Sequence, residues 1–106
     1  MSHAIHDKRS LLMHRLIAWR LRRNPSLHAH AMENIRRWTT GIATSESTTH
    51  AAMEWLPLLD GPLERLIGVM TDKSEEGKRL RQSSPFAGES FLMQAERMRI
   101  LRKFRS

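Results

Sequence analysis

Asp60-Gly61-Pro62-Leu63-Glu64-Arg65-Leu66-Ile67-Gly68-Val69-Met70 is the stretch whose reading decides the fold. Asp-Gly-Pro is a turn leading into a helix, because the fixed φ of proline suits the first helical turn, where its missing N–H would be unbonded anyway. Leu63, Leu66, Ile67 and Met70 then recur at i, i+3, i+4 and i+7, and Arg65 points away from them. That spacing is one apolar stripe of an α-helix.

The same pattern extends in both directions. Downstream, Asp72 or Ser74 caps a short helix with Glu75 and Glu76 at its positive end and Lys78, Arg79 and Arg81 toward its negative end, an order that suits the helix dipole. Leu80 is its apolar anchor, and Ser83-Ser84-Pro85 ends it, since the residue before proline is pushed out of the α region. Ser90 then caps a last helix over 91–104. Phe91, Met98 and Leu101 lie on one side of it, Met93, Ile100 and Phe104 on another, and Glu96, Arg99 and Lys103 on the exposed side.

Upstream, a third helix starts near His50, with Ala52, Met53, Leu56 and Leu59 available for packing; Pro57 either kinks it or ends it near Trp55. Residues 39–49 are rich in Ser and Thr, whose hydroxyls compete for backbone hydrogen bonds, and read as a mobile loop. Before it, Asn24 caps a second helix with Pro25 in its first turn and Leu27, Ala31, Ile35 and Trp38 on one stripe. A first helix over 7–23, capped by Asp7, carries Leu12, Leu16 and Trp19, widened by Met13, Ile17 and Leu21. No segment alternates with period two. The expected fold is all-α, a single small bundle of five to six short helices covering residues 1–106.

Composition narrows the function classes. The chain has 106 residues and no cysteine, which excludes disulfides and thiolate metal sites. No segment approaches the roughly 20 apolar residues of a membrane helix, and the N-terminus lacks the apolar core of a signal peptide; a cytoplasmic protein without membrane association is expected. The net charge of +7 is unevenly placed: residues 1–38 carry +6, residues 39–77 carry −5 and residues 78–106 carry +6. Basic ends suit an anionic partner such as nucleic acid. They equally suit an acidic middle that neutralises them within one fold or across a homo-oligomer.

Catalytic and cofactor motifs are missing from the sequence. Serines and histidines are abundant, but no nucleophile-elbow spacing ties them together, and the five glycines form no phosphate loop. Of the six histidines, His3 and His6 lie near the terminus, and His28 and His30 point to different sides of a helix. No carboxylate or cysteine set accompanies them. A non-enzymatic protein with no metal and no cofactor is expected.

One segment stands outside the helical patterning: Leu80-Arg81-Gln82-Ser83-Ser84-Pro85-Phe86-Ala87-Gly88. Together with Ile35-Arg36-Arg37-Trp38 and with Trp55 ahead of Leu58-Leu59-Asp60-Gly61-Pro62-Leu63, it resembles a family of small bacterial helical proteins. These carry a near-identical Arg-Gln-Ser-Ser-Pro-Phe-Ala-Gly signature close to the C-terminus. The likeness spans roughly residues 20–104. Beyond Gly88 the chain departs from the family pattern, with Glu89-Ser90-Phe91-Leu92-Met93 where the family leads into a Thr/Ser-Pro helix start. The resemblance implies an antitoxin-like role with a toxin-like protein partner encoded nearby.

On that reading the partner-binding residues are Arg81, Gln82, Ser83, Ser84, Pro85, Phe86 and Gly88 in the 83–90 loop and its approach, with Trp55 as an interface anchor. Arg81 would meet a partner carboxylate through two nitrogens and Phe86 would enter a partner pocket. Phe86 has a second reading, as a plug between the fifth and last helices. Trp19 and Trp38, on apolar stripes, are read as core. The alternative function is a nucleic-acid-binding accessory using Lys8, Arg15, Arg22 and Arg23 of the first helix and Arg99, Arg102 and Lys103 of the last.

Overall fold

The computed structural model describes residues 2–41, 45–88 and 90–103, with side chains from residue 4 onward. Among them lie six helices: α1 (Ser2–Arg23), α2 (Ser26–Thr40), α3 (Glu46–Asp60), α4 (Leu63–Met70), α5 (Glu75–Arg81) and α6 (Gln94–Lys103). The described residues contain no strand. The radius of gyration is 13.6 Å, close to the roughly 13 Å of a compact domain of this length.

Local chemistry sets the boundaries. At the α1–α2 elbow the Asn24 side chain accepts from the Ser26 amide (3.2 Å) and hydroxyl (2.6 Å), and Pro25 already has helical torsions. α3 opens on a reciprocal cap: the Ser45 hydroxyl accepts from the Thr48 amide, and the Thr48 hydroxyl accepts from the Ser45 amide. α5 opens on Ser74, whose hydroxyl accepts from the Gly77 amide.

Three boundary expectations are corrected, and one of the two readings of Pro57 is removed. α1 begins at Ser2, so Asp7 lies inside it rather than at its cap. The 39–49 loop is shorter than its composition suggested, because Thr39 and Thr40 finish α2 and Glu46 starts α3; residues 42–44 fall outside the described set. Pro57 neither ends α3 nor shortens it. The carbonyl that its missing N–H would have met belongs to Met53, and both residues are exposed, a setting in which such a carbonyl costs least. α6 starts at Gln94, not Phe91. Its cap is Glu96, whose carboxylate accepts from the Met93 amide at 3.0 Å, and the expected contribution of Phe104 lies outside the described residues.

α1 is the hub, packing against α2, α4, α5 and α6, while α2 and α3 form the most extensive helix pair. The core joins Ile17, Ala18 and Leu21 of α1 to Leu27, Ala31 and Ile35 of α2, Ala52, Trp55 and Leu59 of α3, and Leu66, Ile67 and Met70 of α4. Phe86, Phe91 and Leu92, from the chain between α5 and α6, close it. The tryptophan assignments reverse: Trp55 is fully buried, and Trp19 is 53% exposed. Trp38 is half-buried against the core. Trp55 sits on the α3 face turned inward with Ala51, Ala52 and Leu59, whereas Trp19 lies one position past the inward stripe of α1.

Candidate functional site

The 80–88 segment is anchored from within. Phe86 is 4% exposed and meets Trp55 (6.0 Å), Phe91 (5.5 Å) and His14 (6.5 Å) edge-on, the favoured geometry for aromatic pairs. Pro85 is also buried, and its carbonyl accepts from the Asn34 side-chain amide at 2.7 Å. The Trp55 indole N–H donates to the Leu80 carbonyl at 3.2 Å. Gly88 has φ 109°, a conformation that favours glycine, and its carbonyl accepts from the amides of Phe91 and Leu92.

The expected partner contacts of Arg81, Pro85, Phe86 and Trp55 are therefore corrected, since these side chains are consumed by the core. Arg81 is 5% exposed, and its Nη1 donates to the carbonyls of Met70 (3.3 Å) and Asp72 (2.5 Å), not to a carboxylate. Gln82 and Ser83 do face solvent, and Ser84 is half-buried. Arg79, Gln82 and Ser83 form one wall of an open groove of about 530 Å³ between α3 and α5, with Glu46, His50 and Glu54 along the other. Its charges pair with each other: Arg79 bridges Glu54 and Glu76, which holds both carboxyls below their usual range.

Ser84 makes a contact that spacing did not suggest. Its hydroxyl lies 2.8 Å from His14 Nε2, and His14 Nδ1 lies 2.8 Å from the Ser10 carbonyl. A carbonyl only accepts, so Nδ1 carries the proton and Nε2 accepts from Ser84. A serine–histidine pair of this shape is the start of a nucleophilic site. Here His14 is 5% exposed and burial pushes its pKa down to about 4, which makes it a weak base. The Ser84 oxygen is also engaged by the Phe86 amide at 3.1 Å. The pair fastens the 80–88 segment to α1.

The basic residues of α1 are turned toward different neighbouring helices. Arg9 donates to the Leu101 carbonyl, and Arg20 bonds the Phe91 carbonyl and both oxygens of Glu96, so this side of α1 faces α6. Lys8 lies on the side turned to α5, and Arg22, on the side turned to α4, is paired with Glu64. The basic set expected to meet nucleic acid comprises Lys8, Arg15, Arg22 and Arg23, all exposed on α1, together with Arg99, Arg102 and Lys103. The last three are exposed on α6. The ion pairs Arg22–Glu64 and Arg79–Glu54 join basic ends to the acidic middle within one chain.

Arg23 lies 3.9 Å above the Trp19 ring, a cation–π contact. Beside it is a groove of about 210 Å³, floored by Leu27 and Phe91 and edged by Trp19, Arg20, Arg23 and Met93. Met93 is 66% exposed. The sequence reading took Trp19 as core, so this surface was missed; the run Trp19-Arg20-Leu21-Arg22-Arg23 just before an elbow was its visible signal.

Among the described residues no group of three or more His, Asp or Glu side chains is placed to hold a metal ion. His28 donates to the Leu59 carbonyl, and His30 packs edge-on to Phe91. No described helix is long and apolar enough to cross a membrane. Comparison with known proteins finds no family model, no curated protein and no solved structure that matches this chain.

Proposed function

We propose that the chain is a non-enzymatic protein-binding module, antitoxin-like, that neutralises or regulates a partner protein through the surface around Trp19. The observation that carries this reading is the half-exposed Trp19 stacked under Arg23, beside exposed Met93 and a shallow apolar groove. Tryptophan, arginine and methionine are the residues enriched in interface cores and hot spots. An indole held by an arginine above it loses little side-chain entropy on binding. The 80–88 segment supports this surface from beneath, since Phe86 packs on Phe91 and Phe91 floors the groove.

The partner that suits the surface is an amphipathic segment with an apolar ridge and acidic flanks, the flanks meeting Arg23. The resemblance points to the product of a neighbouring gene as the first protein to try. Titration of that product by calorimetry tests the reading. Trp19→Ala is expected to weaken binding at least about a hundredfold while leaving the melting temperature within a degree or two. Unchanged affinity in this variant overturns the assignment.

The second reading, a nucleic-acid-binding accessory, rests on α6, where exposed Arg97, Arg99, Arg102 and Lys103 make no ion pair with a described residue. Binding of a DNA duplex that falls steeply with salt, and further on charge reversal at Arg99 and Arg102, would favour it. No binding at low salt would rule it out.

A further inference from the structure

We propose that the cleft between α1 and α5 is a binding site for a phosphate group, carried either by free phosphate or by a small phosphate monoester. The cleft measures about 290 Å³ and is lined by Lys8, Lys73, Lys78 and Arg81 against the single carboxylate of Asp7, with Ala4 and Leu11 as apolar wall. Three separate stretches of chain supply the cations: Lys8 comes from α1, Lys73 from the turn after α4, and Lys78 and Arg81 from α5. In sequence they sit in the two basic regions and in the acidic one between them, and only the fold brings them together.

The second observation is the state of Arg81. The residue is 5% exposed, only Nη1 of its guanidinium has hydrogen-bond partners, and both are neutral carbonyls. Nε is sealed from solvent with no acceptor. Burial disfavours this cation, the nearby charges of Asp7 and Asp72 offset that only in part, and an anion in the cleft would complete the offset. The neighbouring carboxylates do not meet the need: Asp72 is occupied by the amide and hydroxyl of Ser74, and Asp7 makes no ion pair within 4 Å with any described cation. Lys78 is paired only with the exposed Glu75 at 3.2 Å, a contact that solvent screens and a phosphate oxygen readily replaces. Arg15 adds a further positive charge close enough to oppose that of Arg81.

A phosphate group fits this chemistry better than a carboxylate. Its two charges and three or more acceptor oxygens answer several ammonium and guanidinium donors at once, and the Ala4–Leu11 wall can take the organic part of an ester. The site is independent of the Trp19 surface, and its test does not use a protein partner.

The test is thermal unfolding of the full chain at constant ionic strength, with sodium chloride replaced stepwise by sodium phosphate or by phenyl phosphate. The expected result is a saturable rise in melting temperature with one or both, whichever is tighter identifying the source. Lys8→Gln with Lys73→Gln, both at exposed positions, is expected to raise the apparent Kd about tenfold or more. Backbone amide NMR shifts on phosphate addition should cluster at residues 4–11 and 71–81. Equal melting in chloride and in both phosphates overturns the proposal, as does undiminished affinity in the double variant.

Discussion

His14 and Ser84, seventy residues apart, are joined by a 2.8 Å hydrogen bond in which the buried, neutral imidazole is the acceptor. The Phe86 amide donates to the Ser84 hydroxyl, the hydroxyl to His14 Nε2, and His14 Nδ1 to the Ser10 carbonyl. The Ser10 link places a proton on Nδ1, and the Ser84 link, with the hydroxyl donating, requires the other nitrogen to be unprotonated. Protonating Nε2 would take away the acceptor of the Ser84 hydroxyl and place a charge in a site that is 5% exposed.

Stability should accordingly fall as acid charges this histidine. The folded pKa, held down to about 4 chiefly by burial, lies below the unfolded value near 6.5. The unfolded chain therefore binds the extra proton first, and stability drops as pH falls from 6.5 toward 4. At about 1.4 kcal/mol per pH unit the full span costs roughly 3 kcal/mol. Urea unfolding at pH 7, 5.5 and 4.5 should show this loss, and His14→Gln should flatten it over that window. A native-protein slope unchanged by the substitution would place the titrating group elsewhere.

Phe86→Ala should cost about 3–5 kcal/mol, the range for removing a buried aromatic ring. It opens a hole between Trp55, Phe91 and His14. This distinguishes the core-plug role from a contact role: equilibrium unfolding should reveal a large shift in midpoint, with the Trp55 emission moving to the red. A fully stable Phe86→Ala protein would return the ring to the surface.

The helices were legible in the sequence where an uninterrupted apolar stripe met a clear cap. Leu66, Ile67 and Met70, or Leu27, Ala31 and Ile35, are buried as their spacing requires. α1 was misread for a physical reason. Its inward residues are His14, Ile17, Ala18 and Leu21, an i, i+3, i+4, i+7 stripe containing a histidine. Hydrophobicity alone centred the stripe on Leu12, Leu16 and Trp19 and so turned the helix the wrong way. Only the tertiary contact with Ser84 makes a buried neutral His14 favourable, and no local pattern encodes it. The α1–α5 cleft was illegible for the same reason, since Lys8 and Lys73 become neighbours only through packing. The 80–88 segment was legible as exceptional, but its burial was not, because burial of a loop depends on Asn34, Trp55 and His14 arriving from three helices.

Two glycines should respond oppositely to alanine. At Gly77 an added Cβ would lie 2.3 Å from the Asp72 carbonyl oxygen, a backbone atom that cannot step aside cheaply. Gly77→Ala should destabilise by about 1–3 kcal/mol. At Gly68, exposed within α4, a Cβ meets nothing within 4 Å. Gly68→Ala should stabilise by about 0.5–1 kcal/mol through helix propensity and a less flexible unfolded chain. Denaturant midpoints for the two variants should fall on either side of the parent.

Glu96 links two helices and caps one of them. Its carboxylate takes both terminal nitrogens of Arg20 on α1 and the Met93 amide at the start of α6. These contacts hold its pKa down to about 2, the Arg20 hydrogen bonds being the largest cause. Because the folded value lies below the unfolded one, the stabilisation is present above about pH 4.5 and is lost as pH falls toward 2, a window mostly below that of His14. Glu96→Gln removes the charge while keeping the shape, and should cost about 1–2 kcal/mol near pH 7. Because α6 has only Ile100 fully buried, the loss should appear first as faster hydrogen exchange in residues 94–103, with α2 and α3 unaffected. Arg20→Lys, which keeps the charge but not the forked geometry, should reproduce part of that effect. Equal exchange rates in parent and Glu96→Gln would mean that α6 is held by its apolar contacts alone.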